Sequence, residues 1–341
     1  MARLIHALAY RKGYLTMATS AQSLPRGVLV APERKSRSLW SDAWRRLTNN
    51  KAAVLGMIFI ALLILVAIFA PFIAPYNPVE QRANNSFKPA FWVQTSNPAT
   101  SGSLAFPLGT DALGRDVLSR LIYGTRVSLI VGLIPTIVIF AVGVTIGLIS
   151  GFSGGFVDNL LMRITDIVTA FPDLLFLITI NVAFRETAIG QALNGLLLIF
   201  IALALVGWTG LARLVRGQVL SLKQKEYIEA ARTVGVSRGS ILFKHLLPNT
   251  LAPVIVALSF AIPGAILAEA TLTVIGVGMR PSVDQNNPFP TSWGVLLRDG
   301  YASISSNPWP LVFPVICISL TMLAFTSIGD GLRDALDPRD N

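Results

Sequence analysis

The sequence predicts an all-α integral membrane protein with six transmembrane helices. Composition, apolar run length and charge placement carry that prediction. Of the 341 residues, 53% are hydrophobic and 13% charged, and mean hydropathy is +0.62. A soluble domain carries about 25% charged residues, so this chain lacks the polar surface to clothe a water-soluble globule. Apolar runs near the roughly 20 residues that cross a bilayer lie at Val54–Ile73, Val127–Gly151, Leu160–Phe184, Gly195–Leu214, Leu251–Val274 and Trp309–Ile328. With the N-terminus inside, inner segments hold 20 of the 28 Lys and Arg: ten before the first span, Arg163, seven from Arg213 to Lys244, and two in the tail. Outer loops hold the other eight. This is the positive-inside asymmetry, so the net charge of +10 sets topology and calls for no nucleic-acid partner.

Residues 1–50 form a basic extension on the cytoplasmic side, with no apolar stretch of signal-peptide type. Within it "RLIHALAYRKGYL" suits a short amphipathic helix on the inner membrane face, or a loosely held extension. Trp40 and Trp44 suit the headgroup layer before the first span, and the prolines of "APFIAPYNP" close that span. The remainder, 51–341, reads as one transmembrane domain. An outer loop over 74–126 begins irregularly, then turns helix-like: Thr110 is placed to cap a helix with Leu113, Val117, Leu121 and Ile122 on one face, lying along the outer surface. "GFSGGFVDNLLMRITD" joins spans two and three. An inner loop over 215–250 joins spans four and five, and an outer loop over 276–308 leads to the last span.

Motifs for chemistry are scarce. Cys317 is the lone cysteine, so neither an internal disulfide nor a Cys-based metal site exists, and His6 and His245 are the only histidines. "GFSGG" at 151–155 matches a serine-nucleophile pattern by letters. The only available base, His245, lies beyond a helical island, and Gly and Ser suit a turn there. Asp111 and Asp116 have no metal-loop spacing, with Arg115 between them. No Gly is followed directly by Lys, so a phosphate-cradling ATP loop is absent. We expect no catalytic residue, no metal and no bound cofactor in this chain.

Three intramembrane carboxylates stand out. Glu269 lies within span five, where insertion scales put the cost of a charge at about 2.5–3.5 kcal/mol. Either it is a hydrogen-bonded anchor inside the bundle or it belongs to a gate or pathway. Asp166 and Asp173, flanking Pro172 near the start of span three, pose the same choice.

The informative segment is the polar island "EYIEAARTVGVSRGSILFKHLLPN" at 226–249. Tyr227, Ala230, Ala231 and Val234 share a helical side. Gly235 suits the left-handed position past a helix end. Ser237 is placed to cap a second short helix that Pro248 and Asn249 terminate. The alanines allow close backbone approach, while Glu226, Glu229, Arg232 and Arg238 supply a charged rim. Such a helix–elbow–helix suits a groove in a soluble partner. The alternative is a solvated loop packed only on its own bundle.

Glu229, Ala230, Ala231, Gly235, Leu247 and Pro248 resemble the EAA loop of binding-protein-dependent ABC importers. "WRRLTNNKAAVLG", "PLGTDALGRDVLSRLIYGTRVSL", "GGFVDNLLMRITDIVTAFP", "HLLPN" and "GDGLRDALDPR" resemble the C-type permease subunit of the dipeptide/oligopeptide/nickel branch. The similarity runs from about Trp44 to the tail. Phe106 stands where that group commonly has His, and Thr326 where it commonly has Asn. The resemblance implies a type I importer permease in the inner membrane, with both termini cytoplasmic. It implies a homologous B-type permease, two ATPase subunits that use ATP and Mg, and an external substrate-binding protein as partners. In that setting Glu226, Tyr227, Glu229, Ala230, Ala231, Arg232, Gly235, Ser237, Leu247 and Pro248 form the ATPase-coupling surface. Peptides are the implied cargo, with a nickel chelate or another small solute as alternatives. A stand-alone channel or secondary transporter is the remote alternative.

Overall fold

Asn50 sets the start of the first span. Its side-chain oxygen accepts from the N–H groups of Ala52 and Ala53 at 3.1 and 3.2 Å, and the apolar run carries the helix to Ile73. The structure, a computed structural model, describes residues 39–97, 101–305 and 307–336. The amphipathic helix expected near the N-terminus lies outside the described residues. The principal helices are α1 (Leu39–Asn49), α2 (Lys51–Ile73), α3 (Val117–Ser153), α4 (Gly155–Thr169), α5 (Asp173–Ala183), α6 (Leu196–Leu222) and α7 (Glu226–Thr233). They continue as α8 (Arg238–Ile275), α9 (Trp293–Ala302) and α10 (Trp309–Leu336). No strand occurs among the described residues, only an isolated bridge between Thr110 and Asp116.

Helices α2, α3, α6, α8 and α10 are each long and apolar enough to cross a membrane. The third expected span is different. It is broken into α4 and α5, which meet at 77°, and six spans result only if this bent pair counts as one. Pro172 is the cause: it has no N–H to donate and disfavours a helical residue before it. Helix α5 has 11 residues, about 16 Å, too short to cross alone.

The α3–α6 seam is closely packed. Gly143, Gly147 and Gly151 present one stripe of α3, and a Cβ at each would stand 2.9, 2.6 and 2.8 Å from Cβ of Leu211, Val215 and Val219. Small residues at four-residue spacing let two backbones approach where side chains would hold them apart. Helix α6 is accordingly central and α2 peripheral: 61% of the apolar window around α6 is buried, against 17% for α2.

Helix α3 begins at Val117, ahead of the expected span start at Val127, and takes in the helix expected to lie along the surface. Asp116, not Thr110, is its cap, accepting from the Ser119 N–H at 2.7 Å. The Thr110 hydroxyl instead accepts from the Lys88 N–H at 2.9 Å and donates to the Asn85 carbonyl, closing an irregular loop. Asp111 accepts from Arg115 at 2.7 Å and from Arg120, and both arginines reach Asp299 of α9 at 3.0 and 2.9 Å. Burial lowers the pKa of Arg115 and raises that of Asp116. At Asp299 burial pulls upward, but Arg120 and Arg115 outweigh it and hold the carboxyl below the ordinary range. The 276–308 segment is not a plain loop, because Ser292 caps α9 by accepting from the Val295 N–H at 3.2 Å.

Candidate functional site

The island is built around one buried side chain. Ile228 is 0% exposed and packs with Val215, Val219, Ile241 and Leu246, which fixes α7 against the ends of α6 and α8. Ile228 is the only large aliphatic residue between Glu226 and Thr233, a signal the reading of the sequence passed over. With Ile228 inward, helical geometry turns Tyr227, Ala230 and Val234 outward. Tyr227 is 43% exposed and Val234 84%. Glu226, Glu229, Arg232, Gly235, Ser237 and Pro248 are also exposed, whereas Ala231 and Leu247 are half-buried.

Gly235 makes the elbow. It sits at φ +81°, in the left-handed region that costs an L side chain about 1–2 kcal/mol. Its N–H donates to the Arg232 carbonyl at 3.0 Å and the Val236 N–H to the Ala231 carbonyl at 3.0 Å, the paired closure of a Schellman motif. Ser237 then caps the next helix, accepting from the Ser240 N–H at 3.3 Å.

That second helix does not stop at Pro248 and Asn249. It runs unbroken into the membrane as α8, 38 residues long. Residues Ile241–Leu246 form a π-helical stretch, in which the Leu247 N–H reaches back five residues to the Leu242 carbonyl. The wider turn makes room for the Pro248 ring, which would otherwise collide with the carbonyl four residues earlier. The Asn249 side chain donates to the His245 carbonyl at 2.6 Å.

A second structure ties the end of α6, just ahead of the island, to α3 and α4. Asp158, in the first turn of α4, accepts from Arg216 of α6 at 2.6 and 2.7 Å, and from Ser150. Lys223 donates to the Gly151 and Phe152 carbonyls at 3.2 and 3.4 Å. The Arg216–Asp158 and Lys223 contacts join residues more than fifty positions apart in sequence, so spacing gives no sign of them.

The three intramembrane carboxylates are not brought together. Asp166 accepts from Arg213 at 2.8 Å, half-exposed on α4. Asp173 is exposed at the first residue of α5, where a negative charge suits the helix dipole. Glu269 is fully buried. Its Oε1 accepts from Thr273 at 2.8 Å and from Ser292 at 2.7 Å, while Oε2 has no partner among the described residues. Since Ser292 also caps α9, Glu269 fastens that helix to α8. No group of three or more metal-ligating side chains occurs among the described residues.

Residues 143–340 match the family described as binding-protein-dependent transport system inner membrane component, and residues 38–90 match the N-terminal TM domain of oligopeptide transport permease C. The chain belongs to the binding-protein-dependent transport permeases. Like them it is a multi-pass membrane protein of the inner membrane. The oligopeptide transport system permease protein OppC of Haemophilus influenzae is 41% identical over 306 residues, covering 90% of each chain. This permease is also 40% identical to the dipeptide transport system permease protein DppC of Bacillus subtilis, covering 90% of this chain and 88% of that one. The glutathione transport system permease protein GsiD of Pectobacterium atrosepticum is 36% identical, with 91% and 94% covered. A solved chain of the MetNI methionine ABC transporter in an inward-facing conformation shares the fold, with a TM-score of 0.50 at 17% identity, over 63% of this permease and 95% of that chain.

Proposed function

We propose that this permease forms half of the translocation pathway of an ATP-driven importer of di- or oligopeptides, moved by an ATPase subunit seated on residues 226–249. One observation carries the coupling role: the Tyr227–Ala230–Val234 patch is exposed on a helix anchored by Ile228, and the elbow continues covalently into α8. A push on that patch therefore has a stiff path into the bundle. A loop packed only on its own bundle would not leave its apolar face outward. In this reading the N-terminal extension, the 215–250 segment and the C-terminus face the cytoplasm, and the 74–126 and 276–308 segments face outward toward a substrate-binding protein. A homologous B-type permease completes the pathway. ATP and Mg are handled by two ATPase subunits, and this chain binds no cofactor of its own. The names of the OppC and DppC relatives support a peptide cargo. The GsiD relative favours a second reading, in which the same machinery imports a small peptide-like solute such as glutathione.

The test is reconstitution into phospholipid vesicles, with and without the partner permease, ATPase subunits and binding protein. We expect ATP-dependent uptake of labelled peptide from the full set and none from this permease alone. Uptake against a gradient or ATP hydrolysis by the lone chain overturns the proposal.

A further inference from the structure

A cleft of about 840 Å³ opens beneath the elbow. One side is the turn between α3 and α4, with Phe152, Ser153 and Val157; facing it are Lys223, Arg232 and Arg238. No acidic side chain lines it, and nearby Asp158 is neutralised by Arg216. The guanidinium groups of Arg232 and Arg238 make no hydrogen bond or ion pair among the described residues. The ammonium of Lys223 has three donors, and two go to the Gly151 and Phe152 carbonyls.

The apolar side of the cleft does not end there. Phe156, Leu160 and Ile164 follow at four-residue spacing along α4 and are 80%, 49% and 45% exposed. They make an exposed apolar strip on the same helix whose Val157 lines the cleft. A small soluble anion has no use for the strip. A ligand with an anionic head and a hydrocarbon tail uses both.

We propose that this cleft binds the headgroup of an anionic phospholipid, with the phosphate among Lys223, Arg232 and Arg238 and one acyl chain along Phe156, Leu160 and Ile164. The cleft lies at the end of membrane-length helices, where headgroups sit, and basic pockets between such helices select anionic lipid. Arg232 stands four residues after Ile228 and so shares the bundle-facing side of α7. The Tyr227–Ala230–Val234 patch faces elsewhere on α7, so the lipid leaves that apolar part of the ATPase seat uncovered.

Native mass spectrometry of the detergent-purified chain tests this, titrating dioleoylphosphatidylglycerol, dioleoylphosphatidylcholine and inorganic phosphate separately. Phosphatidylglycerol is expected to be retained at concentrations where phosphatidylcholine is lost, and phosphate is expected not to displace it. Arg238→Gln and Arg232→Gln are each expected to weaken phosphatidylglycerol binding by roughly fivefold, with elution volume and thermal midpoint unchanged. Equal retention of both lipids by the wild type overturns the proposal, independently of how the variants fold. Displacement by phosphate at matching concentration makes this a free-anion site and also overturns it. Loss of the lipid on adding the ATPase subunits makes the cleft a protein contact and overturns it too. Either outcome leaves the coupling role of the exposed patch standing.

Discussion

Arg216 grips Asp158 through two hydrogen bonds of 2.6 and 2.7 Å. The pair joins α4 to α6 just before the elbow, at the place where the broken span meets the intact one. Removing one member leaves the other unpaired in a partly buried site. Asp158→Ala is expected to destabilise the purified protein by about 1–3 kcal/mol, read as a lowered thermal midpoint. The double variant Asp158→Ala/Arg216→Ala is expected to lose less than the two single losses added together. Strict additivity would show that the two groups do not interact.

The glycine stripe predicts a steric penalty at one position and none at another. A Cβ at Gly147 would lie 2.6 Å from the Ala212 carbonyl oxygen, whereas one at Gly210 meets nothing within 4 Å. Gly147→Val is expected to cost about 1–3 kcal/mol or more by forcing α3 and α6 apart. Gly210→Ala is expected to be near neutral. Comparable melting of the two variants would contradict the seam.

Gly235 separates backbone geometry from bulk. No atom lies within 4 Å of a Cβ built there, yet φ is +81°. Gly235→Ala is therefore expected to fold with a cost of about 1–2 kcal/mol. Proline cannot reach a positive φ, so Gly235→Pro is expected to unmake the elbow while the spans still insert. Membrane-fraction abundance and peptide uptake measured together give the readout, with Glu229→Lys as a surface variant that leaves the elbow intact. We expect normal abundance and lost uptake for both; normal uptake in either would defeat the coupling role.

At Glu269 the conservative change and the apolar one should part company. Glu269→Gln keeps an oxygen to accept from Thr273 and Ser292, whereas Glu269→Leu leaves both buried hydroxyls without their acceptor. The leucine variant is expected to lose about 1–3 kcal/mol and to expose α9 to limited proteolysis, with the glutamine variant close to wild type. Equal protease sensitivity of the two would show that the hydrogen bonds do not hold α9.

Asp299 gives the fold a pH dependence. Its folded pKa is held below the ordinary value, about 3.9 in an unfolded chain. The unfolded state thus binds a proton more readily, so this carboxylate stabilises the fold above that value and loses its contribution as pH falls toward the lowered one. Asp116, raised by burial, works in the opposite sense at higher pH. Asp299→Asn is expected to flatten the acid limb of a stability–pH curve below about pH 4, with Arg115 and Arg120 losing a partner at every pH. An unchanged acid limb would refute the assignment.

Much of this architecture was legible in the chain. Apolar run length located the spans, and Gly235 followed by Ser237 located the elbow, because each signal is local. What escaped depended on distance or on two rules in competition. Hydropathy sees that 160–184 is oily and Pro172 reads as a helix break, but neither gives the 77° fold between the two pieces. Thr110 and Asp116 are both good caps, and only the bond from Thr110 to Asn85 decides between them. Pro248 stops most helices, yet the π-helical turn before it lets α8 pass. Asp158 and Arg216 meet through tertiary packing alone. The Gly143–Gly147–Gly151 stripe was visible in the letters and went unread, since an oily run hides its own small residues.

The continuity of α8 fixes how its length can vary. Between Pro248 and Glu269 the chain keeps one helical register, and each residue advances it by about 100°. Inserting or deleting a single residue in that interval would swing Glu269 away from Ser292 or rotate the elbow and its exposed Tyr227–Ala230–Val234 patch relative to the bundle. Relatives that share both contacts are expected to hold this spacing constant.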